Sequence, residues 1–292
     1  AKLNATTTNG GFTTNQTINA LALDTSSPTV SNTFGSVLTL TSGGILATGG
    51  AQTISARTAL GAEGGINVNT GSTLNISGTF SGSAGFTKAL GGALNITVPQ
   101  FISGTQTLNG GTTTLSGGSN TLFPGQTVIV NQGATLDLNG NNQYVGGFGG
   151  GNIPGSAGTV TSSSSALFSN QANQAFGGTI SGAISLNKTG NTTLTAESPL
   201  TYTGDTWITG GTLTLRDNAT LLNTSAININ YGTLNLENNT NLFLSVNMGG
   251  TAIGLMFGMQ SGAQAIAPIL GGIVADQYGL LAAFYLLAAT II

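Results

Sequence analysis

The sequence predicts an all-β fold over residues 1–246, a right-handed parallel β-solenoid, followed by a short α-helical hydrophobic segment over 247–292. Three observations carry this prediction. A glycine-led Leu-x-Leu or Leu-x-Ile motif recurs six times along the chain. A longer segment repeats with an offset of 100 residues. Charge is scarce: 5 basic and 8 acidic residues among 292, far below the roughly 25% of an ordinary soluble domain.

In chain order, the short motif reads GSVLTL (35–40), GSTLNI (71–76), GALNI (92–96), GATLDL (133–138), GTLTL (211–215) and GTLNL (232–236). Leu-x-Leu places two apolar side chains on one face of a strand and the residue between them on the other. The glycine in front supplies turn conformations closed to β-branched residues. Each copy therefore reads as a turn and a short half-buried strand. One such strand pair buries too little surface to stand alone. Stacked coils complete both the apolar rows and the backbone ladder. At about 20–25 residues per coil, 1–246 gives roughly ten to twelve coils. Matching Asn and Thr positions then stack as side-chain ladders. A sandwich or barrel is the alternative that regular short strands also fit.

The longer repeat aligns Lys88 with Lys188, Leu94 with Leu194, Pro99 with Pro199, Gly104 with Gly204 and Gly110-Gly111-Thr112 with Gly210-Gly211-Thr212. It runs without a gap to Leu115 and Leu215, with nine identities in 31 positions, too many for composition alone. The two lysines share a repeat position, which predicts a structural role at a coil corner.

These residues resemble the autotransporter-associated β-strand repeats of bacterial autotransporter passenger domains. The segment Leu186-Asn-Lys-Thr-Gly-Asn-Thr-Thr-Leu-Thr195 leading through Tyr202-Thr-Gly-Asp-Thr-Trp-Ile-Thr-Gly210 into GTLTL carries the likeness, as does Ala134-Thr-Leu-Asp-Leu-Asn-Gly-Asn-Asn-Gln-Tyr-Val-Gly-Gly147 with Ala157-Gly-Thr-Val-Thr161. It covers about 86–240 well and 1–85 by composition. The resemblance implies secretion through the outer membrane and a place on the bacterial cell surface or in the medium. It also implies partners among host or bacterial surface molecules or further copies of the chain. The family's translocation barrel is not in this sequence.

Beyond Asn241–Gly250 the chemistry changes. Residues 249–275 carry no charge, and about 20 such residues are enough to cross a bilayer as a helix. Gly254, Gly258 and Gly262 recur every four positions, which suits close helix contact in lipid. Pro268 kinks or ends the helix. The run from Leu280 to Ile292 is too short to span. Ala267-Pro-Ile-Leu-Gly-Gly-Ile-Val-Ala-Asp-Gln-Tyr-Gly279 with Ala283-Phe-Tyr-Leu-Leu resembles a fragment of a major facilitator superfamily transporter. That likeness implies membrane association of 247–292 and, as an alternative function, membrane transport. It spans at most two of the roughly twelve helices such a transporter needs, so no substrate path forms between halves. Gln277 stands where a basic residue is common, and no Lys or Arg follows Arg216. The join reads as a fusion of two pieces. An apolar helical cap on the solenoid is the alternative, but a cap needs a polar outer face.

Composition excludes several chemistries. Zero Cys and zero His leave no disulfide, no Cys/His metal site and no imidazole for a Ser-His-Asp system. No basic run suggests nucleic acid. The calcium nonapeptide is absent, so neither metal nor cofactor is predicted. Any secretory leader lies outside the sequence.

Eight acids remain to be weighed: Asp24, Glu63, Asp137, Glu197, Asp205, Asp217, Glu237 and Asp276. A glycan-cleaving β-helix needs two convergent carboxylates. None here are adjacent or two apart, so they read as solvated turn charges, while stacking leaves open a second acid near Asp137. Arg216-Asp217 reads as a local ion pair. Trp207 and Tyr202 flank a turn where a sugar would stack, though partial burial is the ordinary reading. Thr39/Thr41 and Thr212/Thr214 make an ice-binding face only if repeated over many coils, and along the chain they are irregular. Asn95-Ile-Thr and Asn218-Ala-Thr follow from Asn/Thr abundance and matter only on a eukaryotic secretory route. No catalytic, cofactor or metal residue is assigned. The predicted function is a non-enzymatic surface scaffold for adhesion or self-association.

Overall fold

A computed structural model describes residues 11–24, 29–33 and 35–237. The seam at 241–250 and the predicted hydrophobic helices of 247–292 lie outside the described residues. The described chain contains strands and turns and no helix.

It is a parallel β-solenoid of about ten turns. Every strand pairing among the described residues is parallel, and the one antiparallel contact is the isolated bridge between Asn131 and Ala157. A sandwich or an up-and-down barrel requires antiparallel neighbours, so the alternative architecture fails on this observation.

Each coil lays down up to three strands, and like strands stack into three faces. The first face runs through Gly64–Val68, Phe86–Ala89, Gln106–Leu108, Val128–Val130 and Phe148–Gly149. It continues through the bridge from Gly150 to Phe176 into Gln174–Phe176, Thr193–Ala196, Gly211–Arg216 and Gly232–Glu237. The second face stacks Thr29–Val30, Ala51–Ile54, Thr73–Ile76, Ala93–Ile96, Gly111–Leu115, Ala134–Asp137, Thr159–Thr161 and Thr179–Ile180. The third face holds Thr58–Leu60, Phe80–Gly82 and Phe101–Ile102. After a gap it resumes with Gln143–Val145, Ala166–Asn170, Ile184–Lys188, Thr206–Ile208 and Ile227–Ile229.

Inside, the alternate residues form apolar rows. Ile54, Ile76, Ile96 and Leu115 follow one another on the second face, all essentially buried. Burying each such side chain contributes about 1.5–3 kcal/mol. Phe148 packs edge-on against Phe168 and tilted against Phe176, with centroids 4.9 and 4.5 Å away. That cluster fills the coil where the spacing is longest. Paired positions outside this coil are 18 (Ala166 to Ile184) to 24 (Thr29 to Thr53) residues apart, but Gly150 to Phe176 takes 26.

Buried glutamines replace the ladder where the third face breaks. Around Leu122 no strand forms. Gln143 accepts the Leu122 amide at 3.1 Å and donates to its carbonyl at 3.2 Å. Gln100 accepts the Phe80 amide at 2.8 Å at the edge of the paired strands of the same face. A buried backbone group left unpaired costs about 1–3 kcal/mol, which explains a polar side chain pointing into an otherwise apolar bore.

Candidate functional site

Four groups of side chains lie where chemistry or binding would be sought: the acids, the lysines, the aromatics and the outward polar rows.

The acids meet in one place. Arg216 ends a first-face strand, one coil above Glu197 and one coil below Glu237. Its Nε donates to both Glu197 carboxylate oxygens at 3.1 Å, and an Nη donates to one of them as well. Nη1 lies 3.5 Å from Glu237. Glu197 is fully buried and Glu237 half exposed. The hydrogen bonds that Arg216 donates to Glu197 raise its pKa above the ordinary value. One expectation is thereby corrected: Glu197 is a buried, paired acid and not a solvated turn charge. Arg216 bonds to the acids one coil below and one coil above it in the stack. Sequence spacing hides this because the three residues are about one coil apart. The guanidinium between the carboxylates holds them as a structural clamp. General acid and base on one glycosidic bond need an open space between the pair.

Asp137 does not meet another acid. Its register neighbours on the second face are Thr114 and Thr161, and its Oδ1 accepts the Asn139 amide at 2.9 Å. Among the described residues no three acids gather as a metal site would require.

Both lysines point into the bore. Lys88 Nζ donates to the carbonyls of Leu90 at 2.8 Å, Gly92 at 2.5 Å and Gly110 in the next coil. Lys188 Nζ donates to the Thr189 carbonyl at 2.6 Å. Each ammonium caps the turn that follows its own strand, so the repeat position is structural. Burial lowers both amines below their ordinary range, Lys88 to about 8.

Of the aromatic pair, only Trp207 is exposed, at 40%. Tyr202 is fully buried, its hydroxyl shared with Thr206, so no two-ring sugar platform exists there. Burial raises its phenol above the ordinary range. The third face carries a different aromatic contact: Phe101, 56% exposed, lies 6.1 Å from Phe123 on the following coil.

The outward rows are most regular on the second face. One column reads Ala51, Thr73, Ala93, Thr112, Thr135, Thr159, Thr179. The other reads Thr53, Asn75, Asn95, Thr114, Asp137, Thr161 and, just past the strand, Ser181. Asn95 donates to Asn75 at 3.0 Å and Ser181 to Thr161 at 3.2 Å, along the column. On the first face Asn131 donates to Asn109 in the same way, and Thr209 and Asn187 bond on the third. The pairs singled out in sequence do not share a face: Thr39 belongs to the third, Thr212 to the first.

Comparison of the chain with models of protein families, with curated proteins and with solved structures finds no match to any of the three.

Proposed function

We propose that the chain is a non-enzymatic scaffold of the autotransporter-passenger type. In this reading it is wound right-handed, as parallel crossovers favour, and stands on the bacterial surface or is released from it. The observation that supports this best is the stack itself: successive coils present outward rows of Thr, Asn and Ser whose side chains bond to one another along the axis. A long rod with repeated weak donors and acceptors suits adhesion or self-association, where many contacts of about 0.5–1.5 kcal/mol act together. The carboxylates bear on the same reading. The closest-gathered pair shares one arginine, and Asp137 stands among threonines.

Two measurements on the purified chain test this. Sedimentation velocity over a concentration series is expected to show self-association, or surface-plasmon measurements to show retention on polysaccharide or cell-surface material. Incubation with pectin-like and other glycans is expected to release no reducing ends. Release that disappears in Asp137→Asn or Glu197→Gln protein, still folded, would replace the scaffold with a glycan-cleaving enzyme.

A further inference from the structure

We propose that the second face binds the surface of ice. The face is a two-dimensional array. Seven successive coils each present two outward residues, and eight of those fourteen positions are threonine: 53, 73, 112, 114, 135, 159, 161 and 179. Rows are ~4.8 Å apart along the axis, and the two columns are ~6.6 Å apart across it. No register shift interrupts these second-face pairings, so the columns run straight.

The chemistry of the face narrows its ligand. Asp137 is its single charge, and it has no aromatic side chain. Nucleic acid asks for basic residues. A single sugar asks for a concavity and a stacking ring. A second copy of the chain asks for an apolar centre within about 800 Å² per partner. This face supplies none of these. It offers threonine hydroxyls and methyls at eight of fourteen positions spaced evenly in two directions, with alanine, asparagine, serine and one aspartate at the rest, and is uncharged over six of seven coils. The matching partner is a solid whose own hydrogen-bonding atoms repeat in two directions. The oxygen lattice of ice is such a partner. Methyl groups add burial of apolar surface at the same contacts.

Rigidity favours the same ligand. Threonine has few χ1 states, and the bonds from Asn95 to Asn75 and from Ser181 to Thr161 fix neighbouring side chains before any ligand arrives. A pre-ordered array loses little entropy on binding, and contacts of about 0.5–1.5 kcal/mol sum along the rod. The first and third faces lack this regularity: Leu46 and Ile129 interrupt one, and Phe101, Tyr144 and Trp207 the other.

The test uses the whole chain in two forms of measurement. Ice recrystallisation and thermal hysteresis are read for the native protein, for Thr135→Tyr/Thr159→Tyr on the second face and for Thr107→Tyr on the first. The native chain and T107Y are expected to inhibit recrystallisation, and the double variant to lose that inhibition while keeping the native circular dichroism. Fluorescently labelled native protein in a growing ice hemisphere is expected to be overgrown into the crystal, a readout that needs no variant. Exclusion of the label into the liquid overturns the proposal. So does a folded double variant that still inhibits, or T107Y losing as much as the double variant. A dimer dissolved by the double variant, without ice activity in the native chain, assigns the face to a second copy and equally overturns it. Adhesion and glycan turnover are read separately, so the scaffold reading stands or falls on its own measurements.

Discussion

Lys88 places a primary amine among three backbone carbonyls, in a bore lined mostly by Leu, Ile, Val and Phe. The carbonyls favour the ammonium, but burial outweighs them and lowers its pKa from 10.5 to about 8. The unfolded chain therefore holds more protons between these values, and stability rises with pH across that interval. Lys188 acts in the same direction. Tyr202 acts oppositely, because its phenol ionises more readily in the unfolded chain, so stability falls again above about pH 10. Urea unfolding at several pH values is expected to show the climb above about pH 8 and the turnover. Lys88→Met is expected to flatten the climb. A native profile that declines steadily from pH 8 would refute the assignment. A second residue effect follows from Leu90, whose φ is 68° where its repeat partner Gly190 has 70°. An L-residue in this region is strained by about 1–2 kcal/mol, and exposed Leu90 gives back little burial. Leu90→Gly loses some of that gain to unfolded-state freedom. A net stabilisation of about 0.5–1 kcal/mol is expected, read as a higher denaturation midpoint.

At the level of elements, the glycine turns divide into two kinds. Gly211 has φ 64°, and an added Cβ would lie 2.2 Å from the Thr192 carbonyl oxygen of the coil below. Gly133 has φ 83° with nothing within 4 Å. Gly133→Ala is expected to cost about 1 kcal/mol, from strain alone. Gly211→Ala adds a backbone clash and is expected to cost about 2–4 kcal/mol. Equal midpoints for the two variants in thermal unfolding would contradict this. The contrast also shows what the sequence made legible. Glycine followed by Leu-x-Leu or Leu-x-Ile announced a strand at all six copies, with the glycine in the preceding turn or bend at four and opening the strand itself at 211 and 232. Which face each strand joins was not legible. The copies at 71–76, 92–96 and 133–138 stack on the second face, whereas those at 211–215 and 232–236 belong to the first. Lys88 likewise lies on the first face and Lys188 on the third. Along the first face Lys88 stacks through Leu108, Val130 and Gly150 to Phe176 in four coils and reaches Ala196 in a fifth, so an offset of one hundred residues ends between whole coils. The Glu197–Arg216–Glu237 clamp and the second-face threonine columns were hidden for the same reason. Both depend on coil length summed over intervening turns, and a single inserted loop shifts that sum.

In the whole molecule, stability is a sum of coil stabilities and of interfaces between neighbouring coils, so the weakest point is set by the most irregular coil. That is the 26-residue coil between Gly150 and Phe176. Its loop exposes residues 151–155 consecutively, with Ile153 at 62%. The ladders nevertheless cross it on every face: Phe176 bridges to Gly150, Thr135 pairs with Thr159, and Gln143 pairs with Phe168. Local opening there requires no unstacking of the coils on either side. Among the described residues, limited digestion with subtilisin is therefore expected to make its first cut within 151–156. The two fragments are expected to stay together on gel filtration, because Phe148, Phe168 and Phe176 interlock from both sides of the cut. Mass spectrometry of the first products, before and after adding urea, reads both outcomes. An earlier cut inside a stacked strand would show that another coil is weaker. Fragments that separate without denaturant would show that the apolar bore, and not the covalent loop, is the discontinuous part of this rod.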